Sequence, residues 1–253
     1  MQISLNDWMA FITKMSSLSN EAAERMRKFI VDGGGYANMD ARDVIGYATA
    51  LAQKYGEGAA ALSALMYDAI AELSGLVLPP AEVAETVTYT EMSKAMQGAA
   101  KFSQNDEYLG AIVGRYVKRA GADTTLKNAI RDGAQFAWIP HGDTCAFCIA
   151  LASNGWQTAS KKNLKNGHAE HIHSNCDCMY GVRFNENTTY SGYKPEVYLE
   201  QYKSADGNTP TQKINAMRRR YYAENKEEIN EQKRSAYEKH KELNESWAEE
   251  HNT

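Results

Sequence analysis

The sequence predicts a mainly α fold in three parts: a multi-helix N-terminal region, a small α+β lobe with short strands, and a long charged C-terminal helix or arm. Apolar residues recur at helical spacing as far as about residue 133. Two short aromatic segments, near residues 136 and 179, have the composition of strands. The last forty residues are highly charged with few apolar positions. With 253 residues, 43% of them hydrophobic, the chain can form an ordinary apolar core.

Residues 1–78 are predicted to form an antiparallel helical array. Ser4 precedes an apolar stripe and has Asp7 three positions later, which is typical of a helix N-cap. That stripe consists of Trp8, Phe11, Ile12 and Met15. A second helix is predicted to begin at Ser19 and to end at the triple glycine, residues 33–35.

Two more helices are predicted before residue 78. The third runs from Asp40 to Gly56, and the fourth carries its apolar residues between Leu62 and Leu73. Gly75 and the prolines at 79 and 80 end it, because proline lacks the backbone donor that a helix needs.

Residues 79–135 continue as a helical region that leads into the lobe. One apolar stripe includes Met92 and Met96, a second includes Leu109 and Val113, and a third begins at Leu126. Stripes of this kind are typical of helix packing, and we assign no chemistry to them.

The remaining chain divides into three segments. Residues 136–184 form the small lobe, called the cysteine lobe below, with strands predicted near Phe136 and Met179. Residues 185–211 are rich in Asn, Thr, Tyr, Ser and Gly, so an irregular linker is expected. Residues 212–253 form the charged helical tail.

Charge and cysteine usage narrow the functional classes. Lys+Arg 28 against Asp+Glu 32 gives a net charge of -4, so an overall positive field does not attract nucleic acid. No apolar run approaches the roughly 20 residues that cross a bilayer, so no membrane partner is expected. All four cysteines lie between Cys145 and Cys178.

This cysteine cluster has the spacing of a metal site. Two cysteines lie three positions apart, and a second group, His-x2-Cys-x-Cys, follows 25 residues later; the candidate ligands are Cys145, Cys148, His173, Cys176 and Cys178. Two such groups can complete a tetrahedral zinc site, and five candidates exceed its four positions. We therefore predict a closed structural zinc and no catalytic residue. His141, His168 and His171 are not needed as ligands of this zinc site.

Cysteines in this number also have uses other than metal binding. Disulfides or unliganded thiols stay open as alternatives, although nothing in the sequence indicates export to an oxidising compartment. A redox Cys-x-x-Cys is normally accompanied by a βαβ pattern, which is absent from the sequence. A zinc deaminase needs His-x-Glu before its cysteine pair, whereas here His168 and Glu170 follow it.

At these residues the sequence resembles the phage minor head proteins of the Mu-F-like head-morphogenesis family. The matching residues are Trp138, Asp143, Cys145, Cys148, His173, Cys176 and Cys178. The resemblance is specific over about 136–184, architectural over 1–135, and absent after about 190. The usual His-Pro-x-Cys-Arg-Cys reads His-Ser-Asn-Cys-Asp-Cys here, without the proline and the arginine. Without the arginine, the resemblance does not carry over any phosphate or acidic-partner contact made from that position.

The resemblance implies a minor capsid protein inside the virion head, made in the host cytoplasm and associated with the portal. It would act in head assembly or in DNA packaging and ejection. Its expected partners are the portal protein, the major capsid protein and packaged double-stranded DNA. The resemblance implies no catalysis, and we expect this chain not to be an enzyme.

The alternative function is a zinc-braced nuclease of the His-Asn-His type. Asp143, His168 and His171 would then supply the general base and the ligands of a second metal. The sequence shows no evident Asp-His or His-His pair at a strand end to support it.

The tail contains a basic and aromatic cluster that could contact DNA: Arg218, Arg219, Arg220, Tyr221 and Tyr222. Arginines neutralise phosphates, and tyrosines stack on bases. A solvated helix face is the simpler interpretation, because the following turns are acidic.

Overall fold

Two long helices form the N-terminal part of the molecule. The computed structural model describes residues 2–102, 106–141, 144–160 and 178–251. Helix α1 (Leu5–Asp32) begins at Ser4, whose hydroxyl accepts a hydrogen bond from the Asp7 N–H at 3.1 Å. Helix α2 (Ala41–Leu73) begins at Asp40, which accepts from the Arg42 N–H. Both caps, and the end of α1 at Gly33, confirm the sequence prediction.

The predicted breaks inside these two helices are wrong. Ser19 is buried within α1, and its hydroxyl donates to the Ser16 carbonyl instead of capping a new helix. Gly56 lies in the interior of α2, where a Cβ atom would come within 3.3 Å of Thr86 and 3.4 Å of Ala120. This glycine therefore allows close packing and does not end a helix.

Helix α3 (Tyr89–Phe102) and helix α4 (Asp106–Asp132) complete the helical part. Leu126, predicted to begin a further stripe, lies inside α4. This helix packs against both α1 and α2, and its partly exposed positions form one narrow stripe at four-residue spacing that includes Arg115, Arg119, Asp123 and Lys127. Buried polar residues, among them Lys118 and Asn128, weaken its amphipathic pattern.

Between α2 and α3 the chain is extended rather than helical. Residues 79–88, called the strap below, are held by polar side chains of α2 and α4. The Ala81 N–H donates to Asp68, and the Ala84 N–H donates to Thr124. Asn128 both accepts from the Glu82 N–H and donates to the Glu82 carbonyl. These hydrogen bonds replace the helix that the sequence predicted here.

A small antiparallel sheet supports the cysteine lobe. Strand β2 (Gln135–Ile139) is central, with β3 (Gln157–Thr158) on one side and β4 (Met179–Arg183) on the other. The predicted strands near Phe136 and Met179 are confirmed. Helix α5 (Ala146–Ala152) lies between β2 and β3 in sequence.

The N-terminus pairs with the far end of the lobe. Strand β1 (Gln2–Ile3) runs parallel to β5 (Thr189–Tyr190), and the Trp8 and Tyr190 rings meet edge to face at 5.0 Å. One continuous cluster of buried residues joins the helices to the sheet. The helices and the lobe thus share a core.

Three helices follow the sheet. Helix α6 (Pro195–Ser204) lies in the segment that we predicted to be irregular, so that prediction is wrong for these residues. Helix α7 (Pro210–Glu224) and helix α8 (Lys226–His251) form the charged tail and are separated at Asn225. Helices α6 and α7 pack against α5, and α8 contacts α1. The fold is mainly helical with a few short strands, as predicted.

A helix that spans a bilayer needs a long and strongly apolar segment, and this requirement applies to every helix in the described part of the chain. None of them is long and apolar enough to span a membrane.

Candidate functional site

The strand register brings the two cysteine segments to one end of the sheet. Ile139, the last residue of β2, pairs with Met179, the first residue of β4. Cys178 therefore adjoins the end of β2, and the chain that leaves β2 reaches Cys145 only six residues after Ile139. The fold thus places the first and last cysteines of the motif on connections at the same sheet end.

Helix α5 orients the first cysteine pair. Cys145 is its N-cap residue and is partly buried, whereas Cys148, one turn later, is 1% exposed. Cys178 is fully buried beside β4. In the described part of the chain no disulfide joins any two of these three cysteines.

The other sequence-predicted ligands, His173 and Cys176, lie outside the described residues, as do Asp143, His168 and His171. Within the residues that the structure describes, no three Cys, His, Asp or Glu side chains converge as a metal site would require. The described thiols therefore do not complete a site by themselves, and further ligands would have to come from residues outside the described ranges.

Aromatic side chains surround this end of the sheet. The Tyr180 ring lies edge-on to Trp138 at 4.7 Å and to Phe136 at 5.6 Å. Burial raises the pKa of Tyr180, and the negative charge of Asp123 raises it further. The Tyr180 hydroxyl is therefore neutral. The sequence places Tyr180 in the predicted strand near Met179. It contains no signal that sets this tyrosine apart from the other aromatic residues of the lobe.

The far end of the lobe is fixed by Tyr190. Its hydroxyl donates to the Val182 carbonyl at 2.9 Å and accepts from the Val182 N–H at 3.0 Å. Burial raises the pKa of Tyr190, which keeps the hydroxyl protonated as this donor role requires. Tyr193 then donates to the Ala152 carbonyl at the end of α5. These contacts hold β5 and α6 against the cysteine lobe.

The basic and aromatic cluster lies on helix α7. Its three arginines and two tyrosines are exposed, with Tyr221 at 44% and Tyr222 at 41%. Arg218 and Tyr222 share one face because they are four positions apart. Lys233 of α8 lies 5.5 Å from the centre of the Tyr222 ring, which adds a second basic side chain, after Arg218, to this face. Arg220 instead pairs with Glu224 at 3.5 Å.

The chain belongs to the VG15 protein family, whose model matches residues 2–205. This is a family of viral proteins that includes phage proteins. The match covers the helices, the cysteine lobe and α6, and it ends before the charged tail. No curated protein and no solved structure matches the chain.

Proposed function

We propose that this chain is a phage minor head protein that lies inside the virion head and is associated with the portal. There it would act in head assembly or in DNA packaging and ejection. The observation that best supports the proposal is the VG15 family match, because it spans the cysteine lobe, in which the sequence resembles minor head proteins. The shared core supports a structural role, since the lobe is built onto the helices.

The proposal includes a structural zinc. Four of the candidates Cys145, Cys148, His173, Cys176 and Cys178 would hold it. Thiolates and an imidazole are the donors that zinc prefers, and the β2–β4 register brings the cysteine-bearing connections together. When bound, zinc would cross-link the long connection before β4 to helix α5 and thereby contribute folding free energy.

A contact with packaged DNA is the third part of the proposal. The exposed face of α7 carries Arg218 and Tyr222, with Lys233 of α8 beside it, and the two cations fit a phosphate backbone. The surrounding acidic residues limit this contact to a local patch. The nuclease alternative gains no support from the described residues, because its three candidate residues lie outside them.

Association with the portal can be tested by mixing the purified full-length chain with the portal protein and the major capsid protein of the same phage. The proposal predicts co-sedimentation with the assembled portal ring at a fixed ratio. Tail-tube protein serves as the matched negative partner. Failure to associate with either head protein would contradict the proposed location.

A further inference from the structure

The strap borders a cleft that the proposed function does not use. The cleft has a volume of about 420 Å³ and lies between strap residues 84–88, Glu91 at the start of α3 and one face of α4. Tyr116, Arg119 and Asp123 line the α4 side. This volume is within the range of about 300–1,000 Å³ that is typical of ligand sites.

The backbone along this cleft has open hydrogen-bonding groups. Nearer the start of the strap, three backbone N–H groups donate to side chains of α2 and α4, namely Asp68, Asn128 and Thr124. Within the described chain, by contrast, no hydrogen bond is made by the N–H groups of Glu85, Thr86 and Val87 or by the carbonyls of Ala84, Glu85 and Thr86. The run is extended and contains β-branched residues, so it has the character of an unpaired edge strand.

The charges along the cleft indicate which peptide would fit. Arg119 lies 3.2 Å from Asp123 and 3.5 Å from Glu91, so its positive charge is already compensated by two carboxylates. Lys127 pairs with Glu82, at 2.9 Å. In the described chain Glu85 makes no ion pair, and its carboxylate is exposed beside the open backbone. Carboxylates therefore outnumber the basic groups around the cleft, and in the described chain Glu85 is the one among them that makes no ion pair.

We propose that this cleft binds an extended peptide segment of a partner protein, which adds as a strand along residues 84–87 and places a basic side chain beside Glu85. The main-chain hydrogen bonds would supply affinity, as in other cases of strand addition, and the ion pair would supply selectivity. The strap stays in place on binding, because Thr86 packs over Gly56 and the Gln53 side chain donates to the Val87 carbonyl.

The probe is the capped pentapeptide Val-Thr-Lys-Thr-Val, titrated into the ¹⁵N-labelled full chain, with a Glu-centred peptide as its charge control. We expect the largest amide shifts at residues 85–87 and at least about threefold weaker binding of the Glu-centred peptide, which is within the range for an exposed ion pair. Glu85→Lys should reverse this preference. Glu186→Lys, the same change in the exposed turn after β4, should not.

Backbone methylation separates strand addition from adhesion through side chains. Two versions of the Lys-centred peptide carry N-methyl groups on alternate residues, so each blocks the donors along one edge only. Strand addition predicts that one version binds at least tenfold more weakly and that the other binds within about twofold of the parent peptide. Equal binding of both versions, shifts confined to the tail, or no binding at millimolar peptide would overturn the proposal.

Discussion

At the scale of single residues, small side chains determine how closely the long helices approach. A Cβ atom on Gly110 of α4 would lie 2.6 Å from the Ala23 carbonyl oxygen, and one on Gly114 would lie 3.0 Å from the Ser19 carbonyl oxygen. Backbone atoms cannot move aside as a flexible side chain can. The α1–α4 contact therefore depends on the absence of side chains at these positions.

Gly110→Ala is expected to destabilise the protein by about 1–3 kcal/mol, because it overpacks this helix crossing. The matched control is Gly46→Ala in α2, where a Cβ atom would have no neighbour within 4 Å. That control should gain about 0.5–1 kcal/mol from helix propensity. Urea unfolding measures both variants, and a stabilising Gly110→Ala would contradict the packing described here.

A second residue-scale prediction concerns Tyr67, which is 1% exposed and donates to Asp132 at 2.9 Å. Arg131 and Tyr67 hold the pKa of Asp132 below its ordinary value of 3.8. Their contribution is therefore present above pH 3.8 and is lost as the pH falls through the lowered pKa. Tyr67→Phe should cost about 1.5 kcal/mol at neutral pH, since Arg131 remains to pair with Asp132.

Urea unfolding at pH 7 and at pH 2–3 checks this prediction. The difference between the wild type and Tyr67→Phe should shrink at the lower pH. Tyr47→Phe, on the same helix, is the control, because in the described chain Tyr47 stacks on Phe29 and its hydroxyl makes no hydrogen bond. A cost for Tyr67→Phe that does not depend on pH would contradict the assigned role of Asp132.

At the scale of elements, local signals located the helix starts and the two main strands. Ser4 and Asp40 cap helices because the capping bond involves only neighbouring residues. Breaks inside helices were not predictable in the same way. Gly56 allows close contact with Thr86, which is distant in sequence, and the strap is extended because α2 and α4 bond its backbone. A single sequence does not contain such tertiary information.

The candidate metal site shows the same contrast between local signals, which a sequence contains, and tertiary contacts, which it does not. Spacing identified the cysteine pair and the later His-Cys-Cys group, and the observed β2–β4 register brings the cysteine-bearing connections to one end of the sheet. The metal-binding role of all five candidates, Cys145, Cys148, His173, Cys176 and Cys178, stays a prediction. Spacing could not identify Tyr180, whose burial depends on how β4 packs against α2 and α4.

Helix α7 provides a prediction at this scale. If its exposed face contacts DNA, the affinity of the full chain for double-stranded DNA should fall with salt, with a slope of about 0.9 per phosphate contacted. Replacing Arg218 and Arg219 by glutamine should weaken binding at low salt and reduce that slope by about one to two. Lys14→Gln on α1, which removes an exposed charge elsewhere, should have little effect. An unchanged slope in the arginine variant would remove α7 from the DNA interface.

At the scale of the whole molecule, the cysteine lobe is part of the same core as the N-terminal helices. The Tyr67 ring meets Phe184 edge-on at 5.4 Å, and β1 pairs with β5 at the other end of the lobe. A change in the lobe should therefore alter the stability of the entire chain and not that of a separate domain.

Metal removal tests this coupling. Elemental analysis is expected to find about one zinc per chain, and a chelator should lower the unfolding temperature of the whole protein. Cys148→Ser should lower the zinc content, whereas Ala146→Ser, which also buries a hydroxyl in α5, should retain it. Zinc-free protein of unchanged stability would contradict the structural metal.

The central claim is that this VG15 family member is an internal component of the phage head. Protease treatment of purified, DNA-filled virions, followed by quantitative mass spectrometry, tests that claim most directly. The account predicts that the chain is present in heads at low copy number, resists protease in intact particles, and is digested once the heads are opened. Absence from the particle, or digestion in intact virions, would contradict it.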